Sequence, residues 1–350
     1  MFNVVQVIPT GIGARIGGFV GDATPATNLL ASIVDRVIAH PNVVNGVELY
    51  LAKPNVLYVE GYTLDRFFLG EVALREVRTN KIGVVIDSGF TEKESLDVAL
   101  NTIDAIETVK GIEVTGYTLT DKPVGVRAVR NKSGAFVGEI KNIKTILDAS
   151  KKLIDNGAEA IAISTVIRID KKDLYAYFKG NGPNPFGGVE AIISHVVSRK
   201  LEVPCAHAPL LTKEEMKLEM PPKVVDPRAG AEAASPAYLG CALQGLYKAP
   251  QLIRIGDAEE GDLKIEDVSA LLYPYNSLGG IPALSAEKNN IPIIAVEENK
   301  TILNVTSDKL GLKNVISVKN YLEAAGVIAA MKEGIDYNTI KRPIHKLKKI

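Results

Sequence analysis

Two adjacent glutamates, Glu297 and Glu298, stand with Asn299 at the end of the strand predicted in "IPIIAVE". Adjacent carboxylates repel one another unless a cation, a ligand hydroxyl or a proton relieves them. The pattern therefore predicts that one of the two glutamates serves as a general base, with Asn299 as a ligand contact beside it. The alternative is a pair of exposed surface charges.

A thiol and an imidazole lie two positions apart in "PCAHAP", where another strand is predicted to end. Side chains at i and i+2 of a strand share a face, so Cys205 and His207 could form an activated nucleophile or half of a metal site. A single Cys-x-His pair is weak evidence for zinc, and no metal is predicted. A small buried apolar role is the alternative for Cys205. In the preceding predicted helix, Glu190 is expected to face a ligand and His195 to pack or cap.

Five glycines fall within "TGIGARIGGFVGDATPA", between a predicted strand and a predicted helix. Glycine lets the backbone approach a ligand closely, and amides at a helix start favour an anion. The spacing departs from the dinucleotide fingerprint, so NAD binding is not predicted. We expect a cover over a ligand, with a ligand-free glycine loop or a helix cap as the alternatives. The candidates here are Gly11, Gly13, Gly17, Gly18, Asp22 and Thr24.

The segment "NSLGG" is a second candidate for anion binding. Asn276 and Ser277 could donate to a ligand, and Gly279 and Gly280 leave the amides of the following helix open. The alternative is ordinary capping of that helix by Asn276 or Ser277.

The segment "VVDPRAGAEAAS" is the third candidate. Asp226 precedes a predicted helix and Arg228 lies in its first turn, where a cation opposes the helix dipole. Arg228 is therefore expected either to bind a carboxylate or phosphate, or to form a salt bridge with Asp226 or Glu232.

The elements that would position these residues alternate between short apolar strands and amphipathic helices, which predicts an α/β fold. We expect a mostly parallel, Rossmann-like C-terminal sheet with helices on both faces, and a smaller mixed α/β N-terminal domain. The expected divisions are residues 1–140, 141–340 and a basic tail at 341–350. One helix is expected from Thr24 to Pro41, because its apolar residues fall on one face. Ligands of such sheets bind beyond the carboxyl ends of the strands.

Composition restricts the function classes. Lys plus Arg and Asp plus Glu are 41 each, so no global field would attract nucleic acid or an anionic membrane. Two cysteines cannot form a disulfide framework. No signal-peptide pattern and no apolar run of roughly 20 residues is present. We expect a cytoplasmic protein without membrane or nucleic-acid partners, and the composition leaves a homo-oligomer open.

Several longer segments together resemble one family. They are "PTGIGARIGGFVGDATPATNLL", "HPNVVNG", "NVLYVEGYTLDRF", "GGVEAIISH", "PCAHAP", "VDPRAGAEAAS", "IPIIAVEENKT" and "NYLEAAGVI". They resemble the family called domain of unknown function 3326 over nearly the full chain. The resemblance implies no reaction, cofactor or catalytic residue. Separately, "GGVEAIISHVVSRKLEVPCAHAP" resembles, locally, the glycine–glutamate helix of nicotinate-nucleotide phosphoribosyltransferases.

These patterns predict a small-molecule enzyme that binds a phosphate- or carboxylate-bearing ligand, with group transfer or hydrolysis favoured over redox chemistry. In this hypothesis the glycines of "NSLGG" and Arg228 bind the anion, a glutamate of the adjacent pair moves a proton, and His207 orients the substrate. No motif specifies a cofactor. The alternative is a non-catalytic ligand-binding or assembly protein with the same pocket. The hypothesis requires Asn276, His207 and Glu298 to share one cavity.

Overall fold

The computed structural model describes residues 1–19, 22–45, 52–219, 224–233, 238–344 and 347, with only the backbone described at 216, 218, 219 and 231–233. The sequence also predicts a strand at Val47–Leu51, which lies outside the described residues, as do Gly21, the side chain of Glu232 and half of the predicted basic tail.

Strands and helices alternate along the described chain, as the sequence predicts. The strands are β1 Asn3–Gln6, β2 Arg36–Ala39, β3 Val56–Tyr58, β4 Val72–Arg75, β5 Ile82–Ile86, β6 Val114–Leu119, β7 Val126–Arg130, β8 Phe136–Ile140, β9 Ala160–Thr165, β10 Ile167–Arg168, β11 Cys205–Pro209, β12 Gln251–Arg254, β13 Val268–Pro274, β14 Ile293–Val296 and β15 Val315–Val318. The helices are α1 Thr24–Ala31, α2 Gly61–Phe68, α3 Lys93–Lys110, α4 Ile143–Asp155, α5 Lys171–Phe178, α6 Gly187–Leu201, α7 Lys213–Glu219, α8 Pro227–Ala233, α9 Tyr238–Leu246, α10 Ile281–Lys288, α11 Ser307–Leu310 and α12 Tyr321–Lys332.

The first sheet has six parallel strands in the order β15-β14-β13-β1-β2-β3. Helices α1 and α12 pack on one face of it, and α2 and α10 pack on the other. Successive side chains of a strand point to opposite faces, so Val4 joins the core under the first pair of helices and Val5 joins the core under the second.

The second sheet has four parallel strands in the order β11-β9-β5-β6. Helix α4 packs beside α6 against this sheet, and α3 packs beside α9. All residues of β9 are buried, which is why the sequence shows a continuous apolar run there. Helix α2 contacts α6 and so joins the two sheets. The predicted α/β class with mostly parallel sheets is confirmed.

The two sheets do not divide the chain at residue 140. Strands β5 and β6 precede that position and β9 and β11 follow it, yet all four lie in one sheet. The first sheet combines strands from both ends of the chain. The second sheet is therefore formed by a central segment that is inserted between the two halves of the first. The segment "VGVRAVRNKSGAFVGEI", with "NKSG" as its turn, predicts a hairpin, and this hairpin is present as antiparallel β7 and β8.

The single helix predicted from Thr24 to Pro41 is wrong. Helix α1 ends at Ala31, and Arg36–Ala39 is strand β2, paired with β1. An apolar stripe at helical spacing also fits a short helix followed by a buried strand, in which Val37 and Ile38 face opposite cores. Thr24 is the first residue of the helix and makes no capping bond with its side chain.

The glycine loop (residues 9–19) follows β1, and several of its amides are bonded within the protein. The Ile16 amide donates to Asn299 Oδ1 at 3.0 Å, and the Gly17 amide donates to Asp22 Oδ1 at 2.6 Å. Gly11 has a left-handed φ of 71°, and its carbonyl accepts from the Phe136 amide at 3.0 Å. The loop is thus fixed to the segment after β14 of the first sheet and to β8, which pairs with β7.

Replacing Asn299 with alanine is expected to lower the free energy of unfolding by about 2–3 kcal/mol. The Asn299 side chain is fully buried, and its Nδ2 donates to the Ile16 carbonyl at 3.0 Å and to the Tyr321 hydroxyl at 2.9 Å. Its loss leaves the Ile16 backbone groups without partners. Glu298→Ala is the matched control, because Glu298 is the preceding residue and its side chain is exposed. A substitution at such a surface position changes the free energy of unfolding by no more than about 0.5 kcal/mol. Urea unfolding measures the free energy of unfolding of both variants. If the two substitutions lower it equally, Asn299 does not hold the glycine loop in place.

Candidate active site

A cavity of about 470 Å³ lies between the two sheets. The carboxyl ends of β1, β2 and β3 reach it from the first sheet, and β11 with the N-terminus of α6 reaches it from the second. Six acid–base side chains line it: His40, Glu60, Asp65, Glu190, His195 and His207. A site beyond the strand ends of parallel sheets agrees with the general location that the sequence predicts.

The first acid–base pair is His207 with Glu190. The His207 ring is fully buried, with Nδ1 3.3 Å from Glu190 Oε1 and Nε2 2.8 Å from Thr165 Oγ1. Both ring nitrogens are therefore occupied. The Glu190 side chain is 22% exposed and lines the cavity, so the carboxylate, and not the imidazole, is the member of this pair that a ligand can touch.

The second pair has the opposite arrangement. Glu60 is buried and caps α2, accepting from the amides of Tyr62 at 3.0 Å and Thr63 at 3.1 Å. Its Oε1 lies 3.1 Å from Nε2 of His195, and the Ser194 hydroxyl donates to the same oxygen at 3.3 Å. The His195 side chain is 38% exposed, so here the imidazole is the member that a ligand can touch.

Burial shifts the pKa of several of these groups in the direction that favours their neutral forms. Desolvation raises the pKa of Glu60 to about 7 and that of Asp65 to about 6. Desolvation lowers the pKa of His195, and it lowers the pKa of fully buried His40 to about 4. The Ile8 amide donates to His40 Nε2 at 3.0 Å. A ring nitrogen accepts a hydrogen bond only when it carries no proton, so this bond fits a neutral ring. Groups that titrate near neutral pH in one cavity are the usual equipment of acid–base catalysis.

We expect the Glu60 carboxyl to destabilise the fold as pH rises. Its folded-state pKa of about 7 lies above the ordinary value of 4.5, so its contribution is complete below pH 4.5 and is lost as pH rises through 7. Relative to Glu60→Gln, which has no such proton, the wild-type protein should lose about 3 kcal/mol of unfolding free energy across this window. His40 titrates in both proteins and cancels in the comparison, whereas the Glu60 charge contributes to the raised pKa of Asp65, so the difference includes that coupling. Urea unfolding of both proteins between pH 5 and 8 measures this difference. If the two free energies of unfolding depend on pH in the same way, the raised pKa of Glu60 is contradicted.

The adjacent acidic pair is not at the cavity. Glu297 and Glu298 are both exposed at the end of β14. Asn276 is buried, and its amide bonds the segment after β14 by donating to Thr301 and Leu303 carbonyls at 3.0 and 2.7 Å. Of the three residues expected to share one cavity, only His207 lines it.

Most of the donors that the sequence assigns to an anion have partners within the protein. Arg228 forms the predicted salt bridge with Asp226, Nε to Oδ1 at 3.0 Å, and donates to the Gly180 carbonyl at 2.9 Å. Its guanidinium also lies over the Phe19 ring. Asn299 is committed to Ile16, and Ser277 donates to the Pro274 carbonyl at 3.3 Å. Of these candidates the ones that line the cavity are Gly18, Gly279 and Gly280.

Cys205 has the environment of a buried apolar residue. It is fully buried, and desolvation raises the pKa of its thiol well above the ordinary value. It does not line the main cavity, where the neighbouring wall is Ala206 to Pro209. A thiol of this kind is a poor nucleophile.

Sequence reasoning missed His40, Glu60 and Asp65 as site residues. His40 follows β2, and the helix that was wrongly predicted from Thr24 to Pro41 included it. Glu60 and Asp65 belong to the start of α2, which the sequence reading did not predict. The available signal was a polar residue directly after an apolar run, as in "RVIAH" and "VLYVE". His195, expected to pack or cap, lines the cavity instead.

In the described part of the chain, no group of three or more His, Cys, Asp or Glu side chains is placed to hold a metal ion. No helix among the same residues has the length and apolar character needed to cross a bilayer.

Comparison with known proteins identifies the family. The chain is 38% identical over 334 residues to an "uncharacterized lipoprotein" of Synechococcus sp., covering 95% of this chain and 91% of the relative. A nucleotide-free structure of acetone carboxylase is 15% identical to this chain, with a TM-score of 0.19. The match covers 56% of this chain and 31% of the acetone carboxylase chain. The local likeness to nicotinate-nucleotide phosphoribosyltransferases stays a prediction. The sequence model of one family matches residues 3–341, and the chain belongs to that family, the proteins of unknown function DUF3326.

Proposed function

We propose that this protein is a small-molecule enzyme that uses general acid–base catalysis, in a group-transfer or hydrolysis reaction. One observation carries the proposal: two histidine–carboxylate pairs line the same cavity, and each presents one member to the cavity while burying the other. A surface that only bound a ligand would not need two pairs of proton-transfer groups.

The two exposed members have different roles. Glu190 is the base, because its carboxylate is held by the His207 N–H and can take a proton from an attacking hydroxyl or water. His195 is the acid: it lies within hydrogen-bonding distance of Glu60, whose pKa of about 7 keeps a proton within this pair near neutral pH. That proton passes to the leaving group through the imidazole. Glu60 and His207 are positioning residues, since their side chains are buried behind the groups that act.

The rival proposal is a non-catalytic protein that binds a ligand in the same cavity. Untargeted mass spectrometry of a metabolite extract, incubated with wild-type protein and with Glu190→Gln, separates the two. An enzyme depletes at least one metabolite and forms a product, and the variant does not. Retention of a metabolite without product formation would support the binding protein and contradict catalysis.

We also propose that the protein works in the cytoplasm. Its two cysteines, Cys205 and Cys241, are buried and are not joined in a disulfide, as expected in a reducing compartment. The Synechococcus relative is named a lipoprotein, and the same name would place this chain at a membrane surface. The intact mass of the native protein decides: an acylated mass in the membrane fraction contradicts the cytoplasmic proposal.

A further inference from the structure

The charge of the cavity wall differs from what the sequence predicts. No lysine or arginine is among the lining residues that the structure describes, whereas three carboxyl groups are: Glu60, Asp65 and Glu190. With His40 and His195 held toward their neutral forms, the wall has no permanent cation to offset the carboxylates. A phosphate or carboxylate guest would face like charge.

The N-termini of α6 and α10, two of the helix starts that line the cavity, do little to reverse this balance. The first amides of α6, those of Phe186 and Gly187, already donate to Asn184 Oδ1 at 2.8 and 3.2 Å. Pro282, in the first turn of α10, has no N–H to offer. Each helix end contributes about half a positive charge, and the end of α2 is already capped by the Glu60 carboxyl.

Asp65 is a second carboxylate, besides Glu190, that a ligand in the cavity can reach. It lines the cavity, and its side chain has no hydrogen bond or ion pair with any residue in the described ranges. By contrast, Glu60 is bonded on both oxygens and Glu190 is held by His207. Tyrosine rings complete the wall: Tyr58, Tyr238 and Tyr273 line the same cavity. Aromatic rings and a carboxylate that line one cavity are an environment that recognises organic cations.

We infer that the substrate of the proposed enzyme is a small organic cation bearing a protonated amine, and that Asp65 pairs with the amine. The inference rests on the proposed function only in calling this guest the substrate. It replaces the anionic ligand expected from the sequence, because the donors expected to bind an anion are largely bonded within the protein or absent from the wall.

Three matched probes test the charge preference: benzylamine, benzyl alcohol and sodium benzoate share one ring and differ in charge. Isothermal titration at pH 7.5 should show benzylamine binding at least about tenfold more tightly than benzoate. Asp65→Asn should weaken benzylamine binding about tenfold and leave benzyl alcohol unchanged, which also shows that the variant is folded. Glu298→Gln, whose side chain is exposed and outside the cavity, should change none of the three.

Equal or tighter binding of benzoate, absence of saturable benzylamine binding, or an unchanged benzylamine affinity in Asp65→Asn each overturns the inference. The proposed catalysis fails separately. If Glu190→Gln still forms product, the acid–base proposal is overturned even where the amine binds through Asp65. If benzoate is preferred while Glu190→Gln abolishes product formation, catalysis stands and the cationic substrate does not.

Discussion

Glu190→Gln should lower kcat roughly 100- to 10,000-fold on whichever metabolite the wild-type protein converts. The amide keeps the size and the position of the side chain but cannot accept a proton. Glu190 is the carboxylate whose Oε1 lies 3.3 Å from His207 Nδ1 and whose side chain reaches the cavity. Since the ground-state contacts of the substrate are largely retained, KM should change far less than kcat. Initial rates over a range of substrate concentration measure both.

His207→Asn separates positioning from catalysis. Without the imidazole beside it, the Glu190 carboxylate loses the contact that holds it in place, so kcat should fall while KM changes far less. A residue with only a packing role would lower stability without this difference between kcat and KM. Glu298→Gln is the control for both variants and should retain activity within about twofold. A large loss in the control would return the catalytic role to the exposed acidic pair.

The sequence predicts the class of fold and the general position of the site, but not the residues that carry it. Continuous apolar runs such as the one in β9 exist because parallel sheets are covered on both faces, so strand type is readable from local sequence. The order of strands is not local: β1 pairs with β13, more than 260 positions away. No composition shift near residue 140 reveals such a pairing.

Side-chain direction explains the remaining errors at the site. Glu297, Glu298 and Asn299 are consecutive after β14, yet two are exposed and the third is fully buried on the glycine loop. Sequence position places all three at the strand end and cannot say which way each one points. Glu60 and His195 are 135 positions apart and meet only because α2 packs on α6. Pairs of this kind come from tertiary packing, which is why His195 reads from sequence as an ordinary helix residue.

The glycines beside the cavity serve packing more than ligand approach. Gly188, the second residue of α6, faces the backbone of β8, and Gly11 lies against both. A Cβ at Gly188 would overlap the Phe136 carbonyl, which is backbone and cannot rotate away. The close approach of helix, hairpin and glycine loop brings Glu190 and His195 to the cavity wall. The glycines near the site are therefore needed because the backbones of α6, the β7–β8 hairpin and the glycine loop lie in close contact.

Gly188→Ala should lower the free energy of unfolding by about 3 kcal/mol or more, because the added methyl group must push β8 away from α6. The same displacement should reduce product formation, since Glu190 lies two residues further along the helix. Gly326→Ala in α12 is the matched control: this helical glycine has open space around its Cβ position, and alanine there should stabilise by up to about 1 kcal/mol. Urea unfolding of the two variants measures the contrast. If Gly188→Ala is as stable as Gly326→Ala, the three segments are not held in the close contact on which the shape of the cavity depends.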